Sequence, residues 1–356
     1  MVSTLRFRMD GLCMARQTAN SPAVAVDPDA CRRVADILRS HSIPEDREDS
    51  SLAGLNQQQI GNFYLLLVAI SHQTSPLGRK PLEGTIDGLR RVGWDYLSAK
   101  LEATVRRNPV ILTPSFWETV KGEDLQHLFS DTNLGDRLSD PEGRAELIRD
   151  LGHRMSLKSW ASADDLFCNS DGYIEQADNG LLKLLAQFRA YSDPVRKKSY
   201  FFLALMHNTG LWKYKDPENL GAPVDYHEAR GHLRLGTVRV LSPELHAKLV
   251  EQRQVTAAED IEIRQSVHNA LMLISEMSGL RNPSQVHYLF WNVFRSCCTR
   301  QNPHCHACPP NCGLPARYVP LASFPGGEKR CPFSDVCQSA NVEPKLLEQR
   351  AITDYY

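Results

Sequence analysis

Seven of the chain's ten cysteines fall within the 41 residues from Cys297 to Cys337, and this crowding constrains the fold more than any other feature. A secreted disulfide scaffold spreads its bridges over a short chain. A patch near one end of a 356-residue chain reads instead as a metal-binding module. Cys298 and Cys305 are separated by six residues, and Cys305 and Cys308 by two. A two-residue gap lets both thiolates converge on one metal from a single turn, with backbone amides free to bond the sulfurs. A structural zinc site is one reading of that spacing, and disulfide pairing is disfavoured in a reducing compartment. The remaining members of the patch are Cys297, Cys312, Cys331 and Cys337, while Cys13, Cys31 and Cys168 are scattered.

The rest of the chain reads as a helical globular protein. Basic and acidic side chains nearly cancel, 41 against 42, so wholesale polyanion binding is excluded and any nucleic-acid contact must be local. The longest uninterrupted apolar run, Phe63 to Ile70, is eight residues, too short to span a bilayer. The first 20 residues lack the apolar stretch of a secretory signal, so a cytoplasmic protein is expected. Apolar residues at helical spacing predict helices over Cys31–Ser40, Gln57–His72, Glu123–Ser130, Pro141–His153, Ser199–His207, Arg264–Met277 and Val286–Ser296, with another after Thr113-Pro114-Ser115. Period-2 alternation is scarce outside Thr237–Leu241, so the expected fold is all-α. The expected organisation is an N-terminal extension with one helix (1–56), a helical domain (57–296), the cysteine-rich module (297–340) and a tail (341–356). Residues 1–28 are expected to be frayed, and Ile43–Ser51 to be a polar linker. Residues 122–182 carry a net charge of −8 and residues 183–239 one of +5, which favours the second stretch for chemistry on phosphate-bearing substrates.

The cysteine spacing after a helix, with a later cysteine, resembles the [4Fe–4S] tail of the endonuclease III branch of helix-hairpin-helix DNA glycosylases. The family's fourth cysteine follows five residues after the third. Here that position is Leu314, whereas Cys331 and Cys337 have the final spacing, which implies an insertion carrying Cys312. The implied ligands are Cys298, Cys305, Cys308 and Cys337, holding a [4Fe–4S] cluster, with zinc the alternative. Upstream, Val224-Asp225-Tyr226-His227 leads through Arg230 to Leu233-Arg234-Leu235-Gly236, similar to the family's catalytic loop V-D-x-H-x-x-R-x-x-x-R-L-G. The resemblance implies a catalytic Asp225, with His227 at the substrate. A carboxylate there stabilises the oxocarbenium-like sugar and orients or deprotonates water. The competing structural role is that Asp225 caps the helix Tyr226–Leu235.

Two further matches are carried by the resemblance alone. Pro194-Val195-Arg196-Lys197-Lys198-Ser199 falls where the family has its P-G-x-G-x-K-[ST] hairpin, placing Lys198 at the Schiff-base position but lacking both glycines. Ser71-His72-Gln73-Thr74 after an apolar helix is similar to the segment whose glutamine reaches the space of an extruded base, implying Gln73. The segments CRRVADIL, TPSFWETVKGEDLQHLF, DIEIRQS and YLFW, with the closing Asp354-Tyr355-Tyr356, also resemble the queuosine salvage glycosylases, which lack the glycine hairpin. The expectation is a two-lobed, helix-hairpin-helix glycosylase-like monomer with no membrane partner. It would hydrolyse the base–sugar bond of a damaged base in DNA, or of a modified nucleoside or nucleotide, and be nucleoid-associated in the first case. The rival of another class is a non-catalytic nucleic-acid binding protein with a zinc-stabilised tail.

Overall fold

A computed structural model describes residues 22–45, 52, 54–75, 78–280 and 282–356. The chain enters through strand β1 (Val24–Val26) and helix α1 (Pro28–Arg39). Asp27 caps α1 by accepting the Ala30 N–H at 2.9 Å, and Pro28 supplies the preset first turn. Helix α2 (Gln57–Ala69) starts with a reciprocal capping box between Asn56 and Gln59 and is buried from Gly61 to its end. A hairpin follows, β2 (Glu83–Ile86) and β3 (Leu89–Val92), turning on Asp87 and Gly88. Both turn residues take positive φ, 52° and 76°, as a two-residue turn between twisted strands demands.

Helices α3 (Trp94–Arg107), α4 (Pro114–Trp117), α5 (Gly122–Phe129), α6 (Pro141–Leu157), α7 (Ala163–Asn169) and α8 (Leu181–Leu185) surround α2, and α9 (Lys197–Asn208) packs along it. They share one apolar core, running from Leu52 to Leu220. The remaining elements are α10 (Tyr226–Leu235), β4 (Val238–Val240), α11 (Pro243–Val250), α12 (Ala257–Ser278) and α13 (Pro283–Ser296). They build a second core, in which α1 packs on α12 and β1 pairs antiparallel with β4, Val24 opposite Val240. Gly231 permits α10 to lie against α13, since a Cβ there would sit 2.2 Å from the Phe294 ring.

About half of the chain is helical, with two small two-stranded sheets among the described residues. The hairpin and β1 are departures from an all-α expectation. No described helix is long and apolar enough to cross a membrane. The segment expected as an N-terminal extension is built into the second core, because the buried face Cys31, Val34, Ala35 and Leu38 is covered by α12. Residues 24–28, expected to be frayed, form β1 and the start of α1; residues 1–21 and 46–51 lie outside the described residues. The expected tail also packs inward, with Glu348, Gln349 and Tyr356 buried.

Candidate active site

Asp225 stands at the junction between the two cores. Its Oδ1 accepts the His227 N–H at 2.6 Å and, more weakly, the Glu228 N–H at 3.4 Å. Glu228 returns the bond by accepting the Asp225 N–H on Oε2 at 2.9 Å, which completes a capping box. The capping role is therefore real. It uses one oxygen and leaves Oδ2, which accepts the Trp291 indole N–H at 3.1 Å. The carboxylate is thus fixed by three donors at the edge of a cavity of about 450 Å3, within the roughly 300–1,000 Å3 of small-molecule sites.

Aromatic rings form much of that cavity: Trp94, Phe201, Tyr226, Tyr288, Trp291 and Tyr356. Trp94 and Phe201 meet edge to face at 4.7 Å between centroids, and a planar heterocycle stacks favourably on such walls. The polar groups come from both cores. Lys197, the first residue of α9, is 8% exposed, with Nζ 5.0 Å from the Phe201 ring centroid. Burial lowers its pKa, partly offset by the charges of Asp225 and Asp193. From α13 comes His287, whose Nδ1 meets Glu228 Oε1. Burial holds this imidazole down at about 3, and burial together with the Asp225 charge pushes the Glu228 carboxyl well above the usual carboxylate range. The two atoms are in close contact, both are buried, and neither is hydrogen-bonded to any other group.

The residues expected from sequence divide between this cavity and its surroundings. His227 lines it, with Nδ1 2.9 Å from Arg230 Nη2 and a pKa held well below normal by burial and the Arg230 charge. Lys198 does not line it, whereas the neighbouring Lys197 does. Fully buried, Lys198 donates from Nζ to Ala69 O at 2.6 Å and lies 3.3 Å from His72 Nδ1. It satisfies a carbonyl at the end of α2 that has no partner within its own helix. Gln73 is likewise displaced. It lines a second cavity of about 490 Å3, bounded by Arg79, Arg189, Arg300 and Arg350, and separated from Asp225 by Ser75, Tyr226 and Tyr356. Its backbone turns away at φ 50°, with its N–H on Tyr356 O at 3.1 Å. Asp225 and Gln73 therefore do not face one cavity.

At the start of α9, Arg196 adopts the left-handed conformation at φ 61°. The amides of Val195 and Lys197 are bound by Asp193, at 3.1 and 3.0 Å, and Asp193 is gripped by Arg264 at 2.8 and 2.9 Å. Both side chains of that ion pair are fully buried.

Arg234, at the end of α10, organises the cysteine loop. It donates to Cys298 Sγ at 3.3 Å, Thr299 O at 2.8 Å and Leu346 O at 2.6 Å, while the Cys337 thiol donates to Arg234 O at 3.3 Å. Cys298, Cys305, Cys331 and Cys337 form one electrostatically linked group, and burial raises the Cys337 thiol to about 11. Cys308 lies electrostatically with Cys312 and Cys297, and Cys331 acts on both this set and the one of Cys298, Cys305 and Cys337. The Cys308 amide is drawn to Lys329 O at 2.7 Å, whereas the Cys331 amide bonds Cys305 O at 3.3 Å. Among the described residues, no group of three or more His, Cys, Asp or Glu side chains stands in position to hold a metal ion.

Sequence reasoning missed Glu228 and His287. The spacing Asp225-x-x-Glu228 is a capping-box signal and could have drawn attention to the glutamate; nothing in the sequence marks His287. Compared with known proteins, the chain matches no family model and no curated protein sequence.

Proposed function

We propose that the chain is an N-glycosylase of helix-hairpin-helix glycosylase-like fold, which hydrolyses the bond between a modified base and its sugar. The observation that carries this reading is Asp225. It is a carboxylate immobilised by Trp291 and two backbone amides, in an aromatic cavity between two cores. With a base stacked on the aromatic walls, Asp225 stabilises positive charge developing at the anomeric carbon and takes a proton from the attacking water. Lys197 contributes a second buried polar group from the opposite core, and His227 borders the substrate.

The start of α9 favours a free nucleoside or nucleotide, of the 7-deazaguanine kind, over a damaged base in duplex DNA. The amides that could bind a DNA phosphate there already bind the Asp193 carboxylate, itself neutralised by Arg264. An internal anion in that place competes with duplex anchoring.

Cys298, Cys305, Cys331 and Cys337 would hold the metal group, a [4Fe–4S] cluster or zinc, with a structural role. Thiolate donors suit either group chemically, and the four side chains would have to draw together to bind one. When bound, the group would cross-link the loop that Arg234 ties to α10.

The test is mass-spectrometric detection of free base after incubation with modified nucleosides, their 5′-phosphates and damaged duplexes in parallel. Release from the monomers, with duplexes spared, is the expected result. No base from any substrate overturns the reading in favour of a binding protein in which Asp225 is only a cap.

A further inference from the structure

We propose that Glu228 and His287 form a proton relay that protonates the departing base, the half of the reaction that Asp225 cannot serve. The inference rests on the N-glycosylase reading and deepens it.

Asp225 is a hydrogen-bond acceptor held by three donors, suited to the sugar side of the bond. The base leaves as an anion unless it takes up a proton, so a second, acidic group must face the same space. His287 lines the cavity with Asp225. Its Nδ1 is directed at Glu228 Oε1, which leaves Nε2 as the ring nitrogen available to substrate. Behind it the Glu228 side chain has no exposure, and its other oxygen is engaged by the Asp225 amide at 2.9 Å. Burial and the Asp225 charge favour the protonated carboxyl, and burial favours the uncharged imidazole; in the relay Nδ1, in close contact with Glu228 Oε1, accepts from the acid and Nε2 carries the hydrogen. Capping alone does not explain a glutamate here, because a glutamine at that position completes a capping box equally well.

The step balances. As the bond between the anomeric carbon and the base nitrogen breaks, its electron pair leaves with the base. The base takes the Nε2 proton of His287, and Nδ1 takes the Glu228 proton. The resulting carboxylate is balanced by nearby Lys197, one of the charges acting on Glu228. Water adds to the sugar and gives its proton to Asp225. After product release Asp225 loses that proton to solvent, and Glu228 regains one.

The experiment compares leaving groups on the purified full chain. The first substrate set is adenosine, inosine, guanosine and 7-deazaguanosine, the fastest being used. The second substrate is 4-nitrophenyl β-ribofuranoside, whose phenolate departs without a proton. Glu228→Gln and His287→Gln should each lose roughly a hundredfold on the nucleoside and change little on the nitrophenyl riboside. Asp225→Asn should lose both activities. The ratio of the two rates does not depend on how much of a variant is folded, so poor folding cannot mimic the result. Equal losses on both substrates, or no loss on the nucleoside, overturn the relay and leave the glycosylase reading standing. A wild-type protein that cleaves only the nitrophenyl riboside cannot protonate a base, and that too overturns the relay alone. A wild type that cleaves neither overturns both. Independently, the nitrogen-15 spectrum of His287 should show a neutral ring protonated on Nε2; an imidazolium at neutral pH overturns the relay.

Discussion

Two aspartates bind backbone amides ahead of two helices in this protein, and they are put to different ends. Asp193 binds the amides at the start of α9, and Asp225 those at the start of α10. Asp193 is fully buried, and both its oxygens are matched to Arg264. Asp225 is half-buried, has no cation of its own within ion-pair distance among the described residues, and keeps one oxygen on Trp291 at the cavity edge. The same capping chemistry yields a neutralised structural joint in one place and a poised anion in the other. What separates them is the partner of the second oxygen.

The largest effect should come from Asp193→Ala. It leaves the Arg264 guanidinium buried with only Asp260 as partner, so unfolding free energy should fall by about 3–5 kcal/mol in denaturant titrations. Asp225→Asn should show the opposite balance. Asparagine caps a helix about as well, so melting should hardly move, while single-turnover base release falls about a hundredfold, or roughly 3 kcal/mol of transition-state stabilisation. Full activity in Asp225→Asn, with lost stability in Asp225→Ala, would make the two aspartates equivalent caps and end the contrast.

Acid should strain the α10 side of the comparison more than the α9 side. His227 and His232 lie on α10, His287 on α13 packed against it, and His72 beside Lys198 on α9; burial lowers all four pKa values from 6.5, those of His232 and His287 to about 3. Once unfolded, these rings take up protons below pH 6.5 that the folded rings refuse, so stability is lost as pH falls. Glu228 pulls the other way as a single group, its raised pKa costing stability as pH rises. Thermal melts should therefore drop steeply below pH 6.5, and His232→Phe should flatten the slope; a melting temperature that rises on acidification would contradict neutral imidazoles.

A further contrast is that α10 is tied to the cysteine loop, through Arg230 and Arg234. Cys331→Ser should abolish bound iron or zinc, measured by elemental analysis and visible absorption, and lower the melting temperature. Cys308→Ser should leave metal content intact. Equal loss in both would return Cys308 to the ligand set. The smallest change should be Arg196→Gly at the start of α9. Relief of the left-handed conformation is offset by glycine's unfolded-state entropy and the loss of an exposed ion pair with Glu175, for a net within about 1 kcal/mol by thermal melts.

Elements with strong local signals were legible in the sequence. The expected helix Tyr226–Leu235 agrees with α10 at both ends because its boundaries are chemical: an aspartate cap at the start, and Gly236 at φ 83° past the end. The hairpin was missed because its strands are four residues each and one is mostly exposed, although Asp87-Gly88 is the turn signal that could have revealed it. Lys197 in place of Lys198 is a one-residue matter, and one residue is about 100° around a helix. The phase of α9 is set by Asp193 and Arg196, which no pattern of apolar spacing reports. Pairings such as Glu228 with His287 and Asp193 with Arg264 join residues 59 and 71 positions apart, so they emerge only from packing.

The second core, drawn from both ends of the described chain, has a consequence for biosynthesis. On the ribosome, β1 and α1 emerge before their partners β4 and α12, which follow only after the whole Leu52–Leu220 core has been made. Roughly 220 residues separate the end of α1 from the start of α12, which at about 5–20 residues per second is a wait of some ten to forty seconds. During that interval the face formed by Val34, Ala35 and Leu38 has no native cover, and the nascent chain is sticky along α1. Production that slows translation lengthens this exposure, whereas a chaperone that holds the first helix shields it until α12 arrives.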